Sequence, residues 1–389
     1  MIIRPVGRQG MQVSQNAWLI LAIASAVRGQ QISRLLLHFD NIDNIVAASQ
    51  ADLVAAGVSE AIADKIASPD EQQLAHCERW LSGKNHCAIN WDDPQYPPLL
   101  KEISDPPALL FVRGDASALT LPQFAIVGSR NATPGGCETA RQFATHLSNC
   151  GFCIVSGLAA GIDAAAHRGA LGNGNATVAI FGTGPDQVYP ERHRDLADTI
   201  AAKGALVSEF PPGTPPRRAQ FPKRNRVISG MSVGTLVVEA SLRSGALITA
   251  KLAAEQGREV FAIPGSIHNP TARGCHQLIR SGAKLVETAG DIIEELSGLL
   301  GELSQSVEQN KPTVTDQSAP EVDPDYQRLL DLMGWDPTDV DTLVNRSGLT
   351  ADEVSSMLLI LELDGRVEPL TGGCYIQREE RPLNERNRA

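Results

Sequence analysis

The fold is decided by residues 124–163, FAIVGSRNATPGGCETARQFATHLSNCGFCIVSGLAAGID, where an apolar run, a glycine turn and a helix lead into a second apolar run. Short, continuously apolar runs are typical of parallel strands, because helices cover both faces of such a sheet. Six strands are predicted on this pattern: Phe124–Val127, Phe152–Val155, Thr177–Phe181, Ala205–Val207, Thr235–Val238 and Glu259–Ile263. Their alternation with helices predicts an extended Rossmann-like fold, a doubly wound and mostly parallel α/β sheet.

Small, hydroxylated or glycine residues follow each predicted strand. They are Gly128–Arg130, Ser156–Gly157, Gly182–Gly184, Ser208–Glu209, Glu239–Ser241 and Pro264–Ser266. Open α/β sheets bind their ligands outside the carboxyl ends of the strands, so these residues predict a binding crevice along that edge.

Three glycine-rich turns are candidates for holding an anion. Residues 156–163, SGLAAGID, join a strand to a helix whose first amides and dipole attract negative charge, although a plain crossover turn has the same pattern. Ser129 and Arg130 add a hydroxyl donor and a guanidinium that can grip two phosphate oxygens. The third turn, Gly230–Glu239, is followed by Ser244 and Gly245. Together these residues would form the wall of the site opposite the basic stretch at 221–230. Since neither G-x-G-x-x-G nor G-x-x-x-x-G-K-[ST] occurs, no dinucleotide or ATP cofactor is predicted.

Positive charge is concentrated in and just before residues 221–230, FPKRNRVISG. Five cations fall within ten residues of a chain whose formal net charge is −11: Arg217, Arg218, Lys223, Arg224 and Arg226. Such a local excess favours a large anion, with phosphate the leading candidate. Phe221 beside these cations is either a platform on which bases stack or a side chain that fills the core, and the sequence leaves both open.

The remaining regions differ in composition from the α/β segment. The predicted divisions are a helical, helix-hairpin-helix-like domain at 1–85, the α/β domain at 86–297, a linker at 298–324, a winged-helix domain at 325–378 and a polar tail at 379–389. Residues 124–290 carry 17 Lys and Arg against 11 Asp and Glu, whereas residues 291–370 carry 4 against 18. Because duplex-binding winged helices need a basic face, this one is predicted to contact protein or to regulate.

Cysteine usage and one apolar segment bear on location. Seven cysteines without a disulfide-framework spacing favour a reducing, cytoplasmic setting. The apolar residues 17–27 resemble part of an export signal, but they are too short to span a bilayer, and a buried N-terminal helix is favoured.

Few side chains suggest catalysis. Asp163 and His167 are four residues apart, which suits a metal or proton relay, although a helix-capping Asp with a buried His is favoured. Gly234, Thr235 and Glu239 are similar to the G-G-x-G-T-x-x-E signature of phosphoribohydrolases, but Ser232 and Val233 interrupt the glycines. A nucleotide-hydrolysing enzyme is therefore kept as the alternative to a non-enzymatic nucleic-acid binder, and no metal is predicted.

Several blocks in one order resemble the DNA-processing protein A family, also called Smf. They are GSRNATPGG at 128–136, SGLAAGIDAAAHRGAL at 156–171, GTGPDQVYP at 182–190, SEFPPG at 208–213, FPKRNRVISG at 221–230, EASLRSGALITA at 239–250 and EVFAIPGSIHNPTARGCHQLI at 259–279. The resemblance implies a homodimer that binds single-stranded DNA and helps load the RecA recombinase during natural transformation. It implies a DNA pocket at Gly128, Ser129, Arg130, Ser156, Gly157, Lys223, Asn225 and Arg226. Our own expectation adds Phe221, Arg224, Ser244 and Gly245 to that pocket.

Overall fold

The structure, a computed structural model, describes residues 8–24, 29–297, 324–334, 336–363, 366–370 and 374–378. The chain divides into two units, Met1–Asn310 and Lys311–Ala389. The predicted linker at 298–324, except for Pro324, and the whole predicted tail at 379–389 lie outside the described residues.

The described strands of the first unit form a single nine-stranded sheet. Their bounds are β1 His86–Asn90, β2 Leu109–Gly114, β3 Gln123–Val127, β4 Cys153–Ser156, β5 Thr177–Phe181, β6 Ala205–Ser208, β7 Gly234–Val237, β8 Glu259–Ala262 and β9 Lys284–Leu285. The spatial order is β1-β2-β6-β5-β4-β3-β7-β8-β9, parallel from β6 to β9, with β2 antiparallel to both β6 and β1. All six predicted strands are present within one residue at either end, and the doubly wound, mostly parallel fold class is confirmed.

The described helices of the first unit surround this sheet. They are α1 Arg8–Ile23, α2 Gly29–Phe39, α3 Ile42–Ala47, α4 Gln50–Ala55, α5 Glu60–Ala67, α6 Glu71–Leu81, α7 Pro98–Lys101, α8 Pro134–Asn149, α9 Ile162–Gly172, α10 Arg194–Lys203, α11 Gln220–Met231, α12 Gly245–Glu255, α13 Arg273–Arg280 and α14 Ala289–Ser297. Separate apolar cores cover the two faces of the sheet, one containing Phe143 of α8 and Ile292 of α14, the other Val227 of α11 and Ala250 of α12. Both faces being covered explains why the strands β3 to β7 are buried along their whole length.

The N-terminal helices pack on the antiparallel end of the sheet. Trp18, Leu19 and Leu21 of α1 are buried in a core that also contains Phe111 of β2. The side chain of Gln73 on α6 adds a polar contact, donating to the Pro212 carbonyl at 2.7 Å. These contacts agree with the interpretation of the first apolar segment as a buried helix. Among the described helices, none is both long and apolar enough to cross a membrane.

The second unit is a small winged helix. Its described elements are α15 Pro324–Met333, β10 Thr338–Asp339, α16 Val340–Ser347, α17 Ala351–Leu363, β11 Val367–Leu370 and β12 Cys374–Gln377. The strands pair antiparallel in the order β10-β12-β11, and a core that includes Leu329, Leu343 and Leu358 joins the three helices. The predicted winged-helix fold of this region is confirmed.

Close packing of α8 on α9 can be tested at Gly169. A β-carbon there would lie 2.3 Å from the Arg141 carbonyl oxygen of α8, so Gly169→Ala should lower the free energy of unfolding by about 1–3 kcal/mol through overpacking. Gly172 of α9 has no heavy atom within 4 Å of the same position. The control Gly172→Ala should therefore leave stability unchanged or raise it by up to about 1 kcal/mol in urea unfolding. Equal effects of the two substitutions would contradict this account of the packing.

Candidate nucleic-acid interface

The strand order places a crevice between the ends of β3 and β7. The chain runs outward from β3 through β4, β5 and β6, and then crosses to β7 on the other side of β3. Doubly wound sheets bind ligands where the order reverses in this way, outside the carboxyl ends of the strands. The residues that follow these two strands are Gly128–Arg130 and Glu239–Gly245, both of which the sequence assigns to the candidate site.

The turn after β3 is held on both sides and presents Arg130 to solvent. The Ser129 amide donates to the Glu239 carbonyl at 2.6 Å, and its carbonyl accepts from the Ile162 amide at 3.2 Å. A β-carbon on Gly128 would lie 2.5 Å from Cγ1 of Ile162, so glycine is required for the approach of α9. Arg130 is exposed at the top of this fixed turn.

The amides of the turn after β4 are bonded to the carboxylate of Asp163 rather than open to a ligand. Oδ2 of Asp163 accepts from the amides of Gly157 at 3.1 Å and Ala159 at 3.3 Å. Ser156 is buried, and its hydroxyl donates to the Ile126 carbonyl at 2.6 Å. The structure differs here from the sequence-based expectation: the groups of Ser156 and Gly157 that were predicted to face a phosphate are engaged inside the fold.

Arg224 is a second departure from expectation, because its charge is internal. The basic segment forms α11 rather than a loop, and Arg224 is only 4% exposed, with Nη1 donating to the Ile180 carbonyl at 3.1 Å. A β-carbon on Gly157 would lie 1.5 Å from Nη1, so the guanidinium rests against that glycine. Burial lowers the pKa of Arg224 to about 10, while attraction to Asp163 opposes that shift. Burial likewise raises the pKa of Asp163, and Arg224 again opposes it.

Helical geometry separates the remaining cations of the segment. With 3.6 residues per turn, Phe221, Arg224 and Asn225 share one face of α11, whereas Lys223 and Arg226 lie on the opposite side. The Arg226 guanidinium forms ion pairs with Glu209 and Asp105, whereas Lys223 is exposed. The cations of α11 therefore do not share one face: Arg224 is turned inward, and Lys223 and Arg226 lie on the other side.

An aromatic pair lies directly beside Arg130. Its guanidinium carbon is 5.7 Å from the centroid of the Phe221 ring, and that ring is 5.6 Å from the ring of Tyr189. Phe221 is partly exposed and rests on Gly182, where a β-carbon would approach the ring to 3.0 Å, and Tyr189 is 50% exposed. We call Arg130, Tyr189 and Phe221 the aromatic shelf. Sequence reasoning missed Tyr189, although it lies in the glycine-rich block at 182–190.

The third predicted turn, Gly230–Glu239, is instead the end of α11 and the strand β7, and only its neighbours Ser244 and Gly245 lie at the start of α12. Ser244 caps that helix by accepting from the Ala246 amide at 3.3 Å, and Gly245 is exposed with open space around its Cα. The side-chain amide of Asn225 donates to the Gly245 carbonyl at 3.5 Å. The structure therefore brings Asn225, Ser244 and Gly245 together next to α11.

Glu239 has a structural partner rather than an open position. Its two carboxylate oxygens accept from the amide and the hydroxyl of Thr133, at 2.9 and 2.7 Å, where α8 begins. A β-carbon on Gly136 would lie 2.5 Å from this carboxyl group. The carboxylate that resembles the phosphoribohydrolase signature thus fixes the start of α8. Within the part of the chain that the structure describes, no three His, Cys, Asp or Glu residues are grouped so as to hold a metal ion.

His167 of α9 is fully buried. Thr177 donates its hydroxyl proton to the Ile154 carbonyl at 2.6 Å, so Nδ1 of His167, 2.8 Å from that hydroxyl, must be the donor to it. Burial lowers the pKa of His167 to about 3. Together with Asp163 on the turn amides, this agrees with the interpretation of a capping Asp and a buried His.

Acid sensitivity of the fold should depend on His167. Because the pKa is depressed in the folded state, the stabilisation is complete above the unfolded value of 6.5 and is lost as the pH falls from there towards about 3. The imidazole of His167 alone should lower the free energy of unfolding by about 1.4 kcal/mol for each pH unit below 6.5. Urea titrations from about pH 7.5 to 5.5 should show a shallower decline for His167→Asn, whereas exposed His146→Asn should match the wild type. Identical slopes for all three proteins would show that His167 does not titrate on unfolding.

Two family models match the chain. The one described as DNA recombination-mediator protein A covers residues 87–297, and a DprA winged helix domain covers residues 313–373. Protein Smf of Escherichia coli K12 is 38% identical over 379 residues, covering 94% of this chain and 98% of that protein. DNA processing protein DprA of Streptococcus pneumoniae is 39% identical over 272 residues, covering 70% of this chain and 94% of that protein.

Solved structures agree with the fold. The X-ray structure of DNA processing protein A from Streptococcus pneumoniae superimposes with a TM-score of 0.64 at 38% identity, covering 72% of this chain and 97% of that one. A structure of DNA processing protein A from Helicobacter pylori, reported for its single-stranded DNA binding mode, gives a TM-score of 0.50 at 27% identity, covering 57% of this chain and 98% of that one.

Proposed function

Since the chain belongs to the DNA recombination-mediator protein A family, we propose that it binds single-stranded DNA and acts as a recombination mediator in natural transformation. The observation that carries this proposal is the aromatic shelf at the carboxyl ends of β3 and β5, where exposed Arg130 lies beside the Phe221 ring and that ring lies beside Tyr189. Cations that follow a backbone, combined with aromatic rings that accept any base, are the usual means of holding a single strand without reading its sequence.

The proposed site is smaller than the set derived from the sequence. Contacts to phosphate at the shelf come from Arg130 and Ser129, and Asn225 with Ser244 and Gly245 adds polar groups beside α11, whereas Lys223 lies on the opposite side of that helix. Arg224 is buried, so it does not contact the ligand, and its guanidinium supports the turn at Gly157 from inside the protein. The relative from Helicobacter pylori supports the choice of ligand, since its structure concerns binding of single-stranded DNA.

Further parts of the proposal rest on the family resemblance alone. We infer that the chain pairs with a second copy and helps load RecA onto the bound strand, without a catalytic step of its own. The capping role of Glu239 supports the non-enzymatic part. RecA-driven strand exchange should be faster on strands coated with the protein, and sedimentation should give twice the mass of one chain. A monomer, or no change in strand exchange, would contradict the corresponding part.

Removing the exposed guanidinium tests the phosphate contact. Arg130→Ala should weaken binding to oligonucleotides of any sequence by roughly tenfold at low salt, and should reduce the slope of log affinity against log salt by about 0.7. Lys65→Ala serves as the control, because Lys65 is exposed on α5, carries one positive charge and is distant in sequence from Arg130. Fluorescence anisotropy over a salt series measures both quantities. Equal binding by the two variants would rule out Arg130 as a DNA contact.

Replacing the ring of Phe221 tests stacking. Phe221→Leu keeps an apolar side chain on Gly182 but removes the flat surface, so single-strand affinity should fall by about 1–3 kcal/mol for each base that stacks there. Duplex binding should change little, because paired bases are not available to the ring. Phe221→Tyr should retain wild-type affinity. If the leucine and tyrosine variants bind the single strand equally, Phe221 only fills space.

A further inference from the structure

A cleft of about 590 Å³ lies on the side of α11 that faces away from the aromatic shelf. Its walls are the end of α1, the start of α6, the segment 105–109 before β2, the segment 209–219 after β6, and α11 itself. All of these belong to the first unit. The volume is within the range of about 300–1,000 Å³ that ligand pockets occupy.

The walls of the cleft differ in chemistry. Lys223 and Arg217 are both exposed and lie on the α11 side. The opposite wall is apolar, formed by Leu21, Ala22 and Ile23 at the end of α1. Phe210 contributes a partly exposed ring to the lining. A cationic side facing an apolar and aromatic side fits a strand whose phosphates and bases point in opposite directions.

Acidic groups also line the cleft, and each has a partner inside the protein. Glu209 and Asp105 form ion pairs with Arg226, and the Asp70 carboxylate accepts from the Gln73 amide at 3.0 Å where α6 begins. The cations at positions 217 and 223 have no ion pair within 4.0 Å among the described residues. The lining carries three acids and three cations and is formally neutral, and Arg217 and Lys223 are its exposed cations without an ion pair in the described part of the chain.

We propose that this cleft is a second nucleotide subsite, which takes the part of the DNA strand that continues past α11 from the aromatic shelf. The inference rests on the proposed function. Phe221 on the shelf and Lys223 in the cleft lie on opposite sides of the first turn of α11. A helix with its side chains is about 10–12 Å wide, which a strand advancing about 3.4 Å per nucleotide crosses in roughly three to four nucleotides. One strand can thus occupy both subsites.

Oligonucleotide length separates the two subsites. A thymidine oligonucleotide of about two nucleotides can fill only one of them, whereas one of about twelve reaches both. Arg217→Glu should weaken binding of the longer oligonucleotide by roughly tenfold and reduce its salt slope, with little effect on the shorter one held at the shelf. Arg218→Glu is the matched control, because Arg218 is an exposed neighbour that does not line the cleft. Both positions are exposed, so the thermal midpoints of the two variants should equal that of the wild type.

Each outcome of this comparison is decisive. If Arg217→Glu and Arg218→Glu bind the longer oligonucleotide equally, or if Arg217→Glu weakens both lengths by the same factor, the second subsite does not exist. The binding function itself still stands in that case, provided that Arg130→Ala weakens both lengths. If the wild type binds neither length, the proposed function and the second subsite both fail.

Discussion

The buried charges of Asp163 and Arg224 are the constraint on which the candidate site depends. A charge removed from water is costly unless an opposite charge and hydrogen bonds compensate it. Here the carboxylate takes two amides of the β4 turn, and the guanidinium takes a carbonyl of β5 and lies against Gly157. The turn, the start of α9 and α11 are thereby held in one arrangement. A side chain at position 157 would push the guanidinium away from it.

The inward direction of Arg224 determines what α11 offers to a ligand. Phe221 precedes it by one turn and so lies on the same side, at the edge of the crevice, where it meets Arg130 and Tyr189. Lys223 and Arg226 consequently turn towards the N-terminal helices. The shelf therefore places the exposed guanidinium of Arg130 over the Phe221 ring, beside Tyr189. Such a surface holds a strand through stacking as much as through charge.

The fold was predictable from the sequence because each buried strand of the sheet is a continuous apolar run, such as Thr177–Phe181, and such runs are read locally. The site was predictable only in part. Arg130 and the crevice follow from the strand ends, but the burial of Arg224 depends on the absence of a side chain at Gly157, which is distant in sequence. The amides of the β4 turn fit the rules for an anion site, and Asp163, which the sequence favours as a helix-capping residue, is the carboxylate that occupies two of them. Apart from the glycine-rich block in which it lies, nothing in the sequence indicates that Tyr189 belongs to the site.

Because the chain is acidic overall, DNA phosphates are repelled by its net charge, and the proposed binding must overcome that repulsion. At physiological ionic strength the Debye length is about 8 Å, so acids elsewhere on the chain are screened from a phosphate at Arg130. Residues 124–290, which contain the crevice, carry 17 cations against 11 acids, so this segment runs against the charge of the whole chain. What remains of the long-range repulsion acts most strongly on the ligand with the denser charge, which is duplex DNA at about one charge per 1.7 Å. Under the proposed function, a net charge of −11 would therefore add to the preference for a single strand that base stacking on the shelf would give.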